Sequence, residues 1–257
     1  MSKMAFVYPG QGVQNPGMGA DFYKESKEAE QIYNEAESIL DFDIKKVCFE
    51  ENDLINNTEY TQAALVTTYL AITGEVIKRE IFPDVTAGLS LGEYGAICVA
   101  GGMNEKEAIS LVRKRGIYMN NAVPEGFGGM TAVLGLNRED IDNILREKDG
   151  VSVANYNCPG QIVITGSVEA IESSVPDLKK LGARCVKLKV RGPFHSPYLK
   201  EAGEKLGRDL EKVTFNNLSI PYVSNVTGEY VDDIKYTKEL LKQQVYSPVK
   251  WEQSVRC

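Results

Sequence analysis

A serine in Gly88-Leu-Ser-Leu-Gly92 and the only histidine in the chain, His195, are the two side chains whose types and settings point most directly to chemistry. The β-rich run Val85-Thr-Ala-Gly-Leu-Ser90 gives way at once to a helical stretch over residues 91–100, stopped by Gly101-Gly102. A serine on a tight turn between a strand and a helix, with glycines two positions away on either side, is the pattern of a nucleophile elbow. A serine hydroxyl attacks poorly until a neighbouring base takes its proton. His195 lies in Arg191-Gly-Pro-Phe-His-Ser-Pro-Tyr198, a loop constrained by two prolines. Taken singly, the serine reads as a turn residue and the histidine as a packed one; together they read as nucleophile and base.

The elements that must carry these residues follow from hydrophobic periodicity and punctuation. Met4-Ala-Phe-Val-Tyr8 reads as a buried strand running into the turn Pro9-Gly-Gln-Gly12. Helical spacing covers Phe22 to Leu40 and Tyr60 to Lys78, the second opened by Thr58 or Thr61 as cap. Asn104 caps a further helix reaching Met119. Strands alternating with helices predict an α/β protein with a mostly parallel sheet.

After Pro124-Glu-Gly-Phe-Gly-Gly129 the rhythm changes. Strands over Thr131–Leu136, Val151–Tyr156, Gln161–Thr165 and Ala183–Val190, with helices over Asp140–Glu147 and Val168–Leu181, give the order β-α-β-β-α-β. That is the split ferredoxin-like order, and residues 129–190 are expected to form a small inserted subdomain. Residues 1–128 and 191–257 then form the larger one.

Composition narrows the functional classes. With 43% apolar and 25% charged residues the chain is expected to fold throughout. A net charge of −7 disfavours nucleic acid as partner. Cys48, Cys98, Cys158, Cys185 and Cys257 are odd in number and lack the spacing of a zinc site or disulfide framework, so they are expected as reduced thiols with no metal. No signal peptide is legible, and no run of about eighteen apolar residues occurs, so a cytoplasmic protein with no membrane contact is expected. Against the acidic whole, Lys179, Lys180, Arg184, Lys187, Lys189 and Arg191 form a stretch with no acidic residue. It reads either as a strand edge guarded by lysines or as an anion-docking patch.

Six segments, Tyr8-Pro-Gly-Gln-Gly12, Gly88-Leu-Ser-Leu-Gly-Glu-Tyr94, Val112-Arg-Lys-Arg-Gly116, Asn155-Tyr-Asn-Cys-Pro-Gly-Gln161, Gly192-Pro-Phe-His195 and Gln244-Val-Tyr-Ser-Pro-Val-Lys-Trp251, together resemble the bacterial malonyl-CoA:acyl carrier protein transacylase family, in that family's order. The resemblance implies an α/β-hydrolase-like large subdomain, a ferredoxin-like small one and an active site between them. It implies Ser90 as nucleophile, His195 as base, and Gln11 and the N–H of Leu91 as the oxyanion hole. It implies Arg115 as the group that binds the malonyl carboxylate. A guanidinium suits that task, since it offers two parallel donors and stays charged, but helical periodicity alone leaves Arg113 and Lys114 open for it. The main-chain carbonyl of Gln244 would orient His195 in place of a carboxylate, and Phe194 would disfavour a methylmalonyl group. Malonyl-CoA as substrate, acyl carrier protein as partner and no bound cofactor complete the implication, with fatty-acid synthesis as the destination.

Two departures from the family pattern stand out. Leu89 precedes the nucleophile where histidine is common, and the family continues past the position of Cys257, so a truncated C-terminal part is expected. A serine esterase or thioesterase shares the elbow and the late histidine but has no use for Arg115. An acyltransferase-like scaffold without turnover is the rival from another class.

Overall fold

A computed structural model describes residues 3–257 of the chain. Strand β1 (Ala5–Tyr8) leads into helices α1 (Ala20–Glu25), α2 (Lys27–Ile39), α3 (Ile44–Phe49) and α4 (Thr58–Lys78). The helix expected over Phe22–Leu40 is two helices. Ser26 is extended, closes α1, and caps α2 by accepting from the Ala29 N–H at 3.3 Å. Neither Thr58 nor Thr61 caps α4 in the expected way. Asn57 holds the N-cap position without a side-chain capping bond, and the Thr61 hydroxyl donates back to the Ile55 carbonyl at 2.6 Å.

Strand β2 (Val85–Gly88) runs through the Ser90 turn into α5 (Gly92–Val99), followed by α6 (Glu105–Asn120). α5 ends in a Schellman motif: Gly102 N–H reaches Ile97 O, Gly101 N–H reaches Cys98 O, and Gly101 takes φ +87°. Asn104 caps α6 as expected, accepting from the Glu107 N–H at 2.9 Å. Then come β3 (Gly128–Leu134), α7 (Arg138–Arg146), β4 (Val151–Cys158), β5 (Gln161–Ser167), α8 (Val168–Lys180), β6 (Arg184–Lys187), α9 (Lys200–Leu210), β7 (Tyr222–Val223), β8 (Tyr230–Val231), α10 (Thr237–Gln244) and α11 (Trp251–Arg256).

The contacts divide the chain into two units. The first comprises the residues up to Ile117 with Arg208–Ser224 and Tyr230–Thr237. Its sheet has the order β1-β2-β7-β8, with β1, β2 and β7 parallel and β8 antiparallel at the edge. This is an α/β arrangement on a mixed, mainly parallel sheet. Helix α4 is buried on nearly every face, from Thr58 through Ala63, Val66 and Leu70 to Thr73, as a helix in a core must be. Polar residues among these bond locally: Thr68 and Thr73 donate to the carbonyls four residues back at 2.8 Å.

The second unit comprises Tyr118–Gly207, Asn225–Glu229 and Lys238–Cys257. Its sheet has the order β4-β5-β3-β6 and is antiparallel throughout. Ile141, Leu145, Ile171 and Leu178 from α7 and α8 pack with Val133, Val153, Ile162 and Ile164 from the strands. This unit is larger than the expected 129–190 segment. Residues 191–207 and 238–257, expected with the larger part, fall in this unit, and main-chain bonding ties the second of these segments to β4. Tyr156 N–H donates to Val249 O at 2.9 Å and Val249 N–H to Ala154 O at 2.8 Å. Periodicity within single elements carries no trace of such a long-range bridge. Among the described residues no helix is long and apolar enough to cross a membrane.

Candidate active site

The geometry around Ser90 is dictated by close backbone approach. β1 and β2 pair in parallel with Tyr8 opposite Gly88, so the turns after both strands emerge side by side at their C-terminal ends, where open α/β sheets place their ligands. Leu89 N–H donates to Tyr8 O at 2.9 Å, and Gly92 N–H to Leu89 O at 2.9 Å. A Cβ on Gly88 would fall onto the backbone of Gly92 and Glu93, and one on Gly92 onto the carbonyls of Tyr8 and Pro9, all closer than 3.0 Å. Squeezed between these glycines, Ser90 adopts φ +52°, a region that costs a non-glycine residue about 1 to 3 kcal/mol and survives only where the surroundings over-determine it. Leu89, in the place where histidine is common, packs onto the Gly10 backbone, with its Cδ2 at 2.7 Å from the position a Gly10 Cβ would take.

Gln11 projects from the turn after β1. Its Nε2 donates to the Thr58 hydroxyl at 3.1 Å, which fixes the amide and leaves its second proton for another acceptor. Leu91 is 1% exposed and stands at the start of α5, where the first N–H groups of a helix have no partner within it.

The three consecutive cations Arg113, Lys114 and Arg115 on α6 separate cleanly by partner. Arg113 donates to both Asp41 oxygens at 2.9 and 3.0 Å and to Glu59 O at 2.8 Å, and stacks on Phe42 and Tyr60. That pairing holds the Asp41 carboxyl below its ordinary value. Lys114 bonds to Asp209 at 2.9 Å. Arg115 donates from Nη2 to Ser90 Oγ at 3.2 Å and from Nη1 to Gln62 Oε1 at 2.8 Å, and its guanidinium carbon lies 5.5 Å from the Tyr94 ring centroid. It is 1% exposed. Burial pulls its pKa down, and the nearby Tyr94 and Glu93 oppose that shift. The same burial pushes the Tyr94 phenol up to about 12.

In the second unit His195 is buried at 4% exposure and has φ +59°. Its Nδ1 lies 2.8 Å from Gln244 O. A carbonyl only accepts, so this bond puts the proton on Nδ1 and makes Nε2 the acceptor nitrogen of the neutral ring. Gln244 is the last residue of α10, and its carbonyl is one of those a helix leaves without an internal partner. The partial negative charge of a helix C-terminus favours a nearby cation, and this carbonyl holds the ring by its Nδ1. Phe194 is buried beside His195. Lys179 and Lys180 close α8, Arg184 and Lys187 lie on β6, which is an edge strand, and Lys189 and Arg191 follow it; all six are exposed. Lys180 also pairs with Asp177 at 2.9 Å.

The structure thus brings Ser90, Arg115 and Gln62 together in the first unit, with the Gln11 turn emerging beside the Ser90 turn, and joins His195 to Gln244 in the second. Gln62, Tyr94 and Glu93 were not singled out in the sequence. The available signal for Gln62 was a lone amide immediately before the apolar run Ala63-Ala-Leu-Val66. Among the described residues no cluster of three or more His, Cys, Asp or Glu is arranged to hold a metal ion.

The model of the acyl transferase domain family matches residues 5–257. A relative named malonyl CoA-acyl carrier protein transacylase, from Bacillus subtilis (strain 168), is 41% identical over 261 residues, covering 99% of this chain and 82% of the relative. The crystal structure of malonyl CoA-acyl carrier protein transacylase from Clostridium perfringens ATCC 13124 superposes with a TM-score of 0.96 at 39% identity, covering 99% of this chain and 82% of that one. A malonyl-transacylase solved in complex with its type II PKS acyl-carrier protein gives 0.94 at 37% identity, covering 99% and 84%. The chain belongs to the acyl transferase domain family and, within it, to the malonyl CoA-acyl carrier protein transacylases.

Proposed function

We propose that this protein transfers a malonyl group from malonyl-CoA to the phosphopantetheine thiol of acyl carrier protein, through a malonyl ester on Ser90, in support of fatty-acid synthesis. The observation that carries the reading is the buried Arg115 guanidinium donating to Ser90 Oγ at 3.2 Å. A permanent cation at the nucleophile suits an acyl group that ends in a carboxylate and serves no purpose for simple esters.

His195 Nε2 takes the Ser90 proton as Oγ attacks the thioester carbon. The negative charge that develops on the carbonyl oxygen is met by the Gln11 amide and the Leu91 N–H; one such donor is commonly worth about 3 kcal/mol. The imidazolium returns the proton to the departing CoA thiolate. The pantetheine thiol then gives its proton to His195 and attacks the ester carbon; the bond to Ser90 Oγ breaks, and the imidazolium returns the proton to that oxygen. Arg115 holds the malonyl carboxylate in both half-reactions, and Phe194 narrows the acyl pocket against a branched group. The resident machinery is side chain and main chain only, and malonyl-CoA is bound as substrate.

The proposed architecture is an α/β-hydrolase-like part carrying the serine and a ferredoxin-like part spanning the strands β3 to β6, whose order β4-β5-β3-β6 with two crossing helices fits that description. Lys179, Lys180, Arg184, Lys187, Lys189 and Arg191 are the proposed docking face for the anionic carrier protein. The whole is expected to work in the cytoplasm.

The test follows malonyl from malonyl-CoA onto holo acyl carrier protein. Parallel initial-rate lines, thioester product and little free malonate are expected. Release to water at the rate of transfer would make the protein a thioesterase instead. Reversing Lys187 and Lys189 to Glu is expected to raise the KM for carrier protein about tenfold at low salt, and an unchanged KM would remove the docking face.

A further inference from the structure

Gln62 sits in the first turns of α4, is 1% exposed, and contributes its amide oxygen to Arg115 Nη1 at 2.8 Å. Nη2 of the same guanidinium reaches Ser90 Oγ at 3.2 Å. A planar guanidinium with one terminal nitrogen fixed by an acceptor and one face against an aromatic ring retains little rotational freedom. Here the acceptor is Gln62 and the ring is Tyr94, 5.5 Å from the guanidinium carbon. The direction in which Nη2 points is therefore set by Gln62 as much as by Arg115 itself.

The chemistry of the acceptor matters as well as its place. An amide oxygen takes a hydrogen bond without cancelling the guanidinium charge. A carboxylate at the same position would pair with the fork and satisfy it internally, leaving nothing for an incoming anion. Burial lowers the Arg115 pKa and the nearby Tyr94 and Glu93 oppose that shift, while a guanidinium stays charged at any ordinary pH.

We propose that Gln62 is the positioning residue that makes Arg115 selective for acyl groups bearing a free carboxylate. By holding Nη1 with a neutral oxygen, it aims Nη2 at the mouth of the nucleophile and preserves the charge for the substrate. A malonyl carboxylate is a stronger acceptor than the neutral serine oxygen and takes Nη2 from Ser90. The displacement leaves the Ser90 lone pairs to the attack. An acetyl group has no means of making that exchange. This inference rests on the proposed malonyl transfer.

The experiment compares the unsubstituted chain with Gln62→Met, which keeps length and removes the acceptor, and Gln62→Glu, which supplies an anion. Two rates are measured on Ser90 by intact mass: loading from malonyl-CoA, and labelling by a neutral fluorophosphonate, which needs nucleophile and base but no cation. The ratio of the two is expected to fall about tenfold in Gln62→Met and about 100-fold in Gln62→Glu, in line with losing one charge-assisted bond and then the charge. The loss is expected in the KM for malonyl-CoA more than in kcat. Ratios within threefold of the unsubstituted chain, whether both rates hold or both collapse together, would overturn the proposal and leave Gln62 a packing residue. An unsubstituted chain that takes the fluorophosphonate but no malonyl group would overturn the functional reading, and this inference with it.

Discussion

Ser90 at φ +52° and His195 at φ +59° both occupy left-handed backbone, but the segments holding them there are built differently. The serine is pinned by regular structure: a parallel strand pair, a helix start, and two glycines that permit backbones to touch. The histidine is pinned by irregular structure. Pro193 precedes it by two residues and accepts from the Ser196 hydroxyl at 2.5 Å, Pro197 opens a short helical turn, and the ring is tied to the far end of α10 by one carbonyl. Glu80, the third non-glycine residue with positive φ among those described, closes α4 in a Schellman motif, with its N–H on Ile77 O at 2.9 Å and the Ile81 N–H on Val76 O at 3.4 Å. A serine placed by main-chain sterics is sensitive to any added Cβ nearby. A histidine ring held by a main-chain carbonyl is expected to be far less sensitive to the side chain of the residue that supplies it.

The sharpest way to break this contrast is on the histidine side. His195→Ala is expected to lower kcat for transfer on the order of 10⁴-fold or more. Gln244→Ala is expected to lower it less than tenfold, because the atom bonded to the ring is the main-chain carbonyl, which alanine keeps. Steady-state kinetics of the two variants check both numbers, and equal losses would refute the main-chain account.

On the serine side, Gly92→Ala is expected to destabilise by about 3 kcal/mol or more, since its Cβ meets two carbonyl oxygens that have nowhere to move. Gly129→Ala, with open space around its Cβ, serves as the comparison and is expected to stay within about 1 kcal/mol. Urea unfolding midpoints measure both.

A third comparison separates neighbours on α6. Arg115→Ala is expected to lower kcat/KM for malonyl-CoA about 100-fold. Arg113→Ala is expected to lower stability by about 1 to 3 kcal/mol through the lost Asp41 and Glu59 contacts, with little change in acyl selectivity. Selectivity lost equally in both would dissolve the distinction.

The smallest effect is alkaline. Burial raises the Tyr8 and Tyr94 phenols in the folded chain to about 12 from 10.0. A group whose folded pKa lies above its unfolded one contributes stability that is complete below the unfolded pKa and disappears as pH rises toward the folded one. Stability is therefore expected to fall between about pH 10 and 12, and Tyr94→Phe to flatten that slope; unfolding midpoints across the range test it.

The same contrast explains what was legible in the sequence. The strand-turn-helix around Ser90 could be read because its determinants, two glycines and a β-rich run meeting a helical one, are adjacent in the chain. The β-α-β-β-α-β order over β3 to β6 could be read for the same reason. Gln62 could not, because its partner lies 53 positions away and nothing in helical spacing distinguishes it from a surface amide. Spacing likewise left Arg113, Lys114 and Arg115 equivalent until their partners were seen. The break at Ser26 was hidden because a capping serine interrupts a helix without disturbing the apolar rhythm across it. The attachment of residues 238–257 to β4 depends on a bridge between Asn155 and Val249 that no local signal encodes.

The central claim is that Ser90 carries the acyl group and Arg115 demands that it end in a carboxylate. Intact-protein mass measurement after mixing with malonyl-CoA or acetyl-CoA, beside the Ser90→Ala variant, tests it most directly. A malonyl adduct on the unsubstituted chain, a far smaller acetyl one, and neither on the variant is the predicted result. A malonyl adduct that persists in Ser90→Ala, or equal loading from both thioesters, would contradict it.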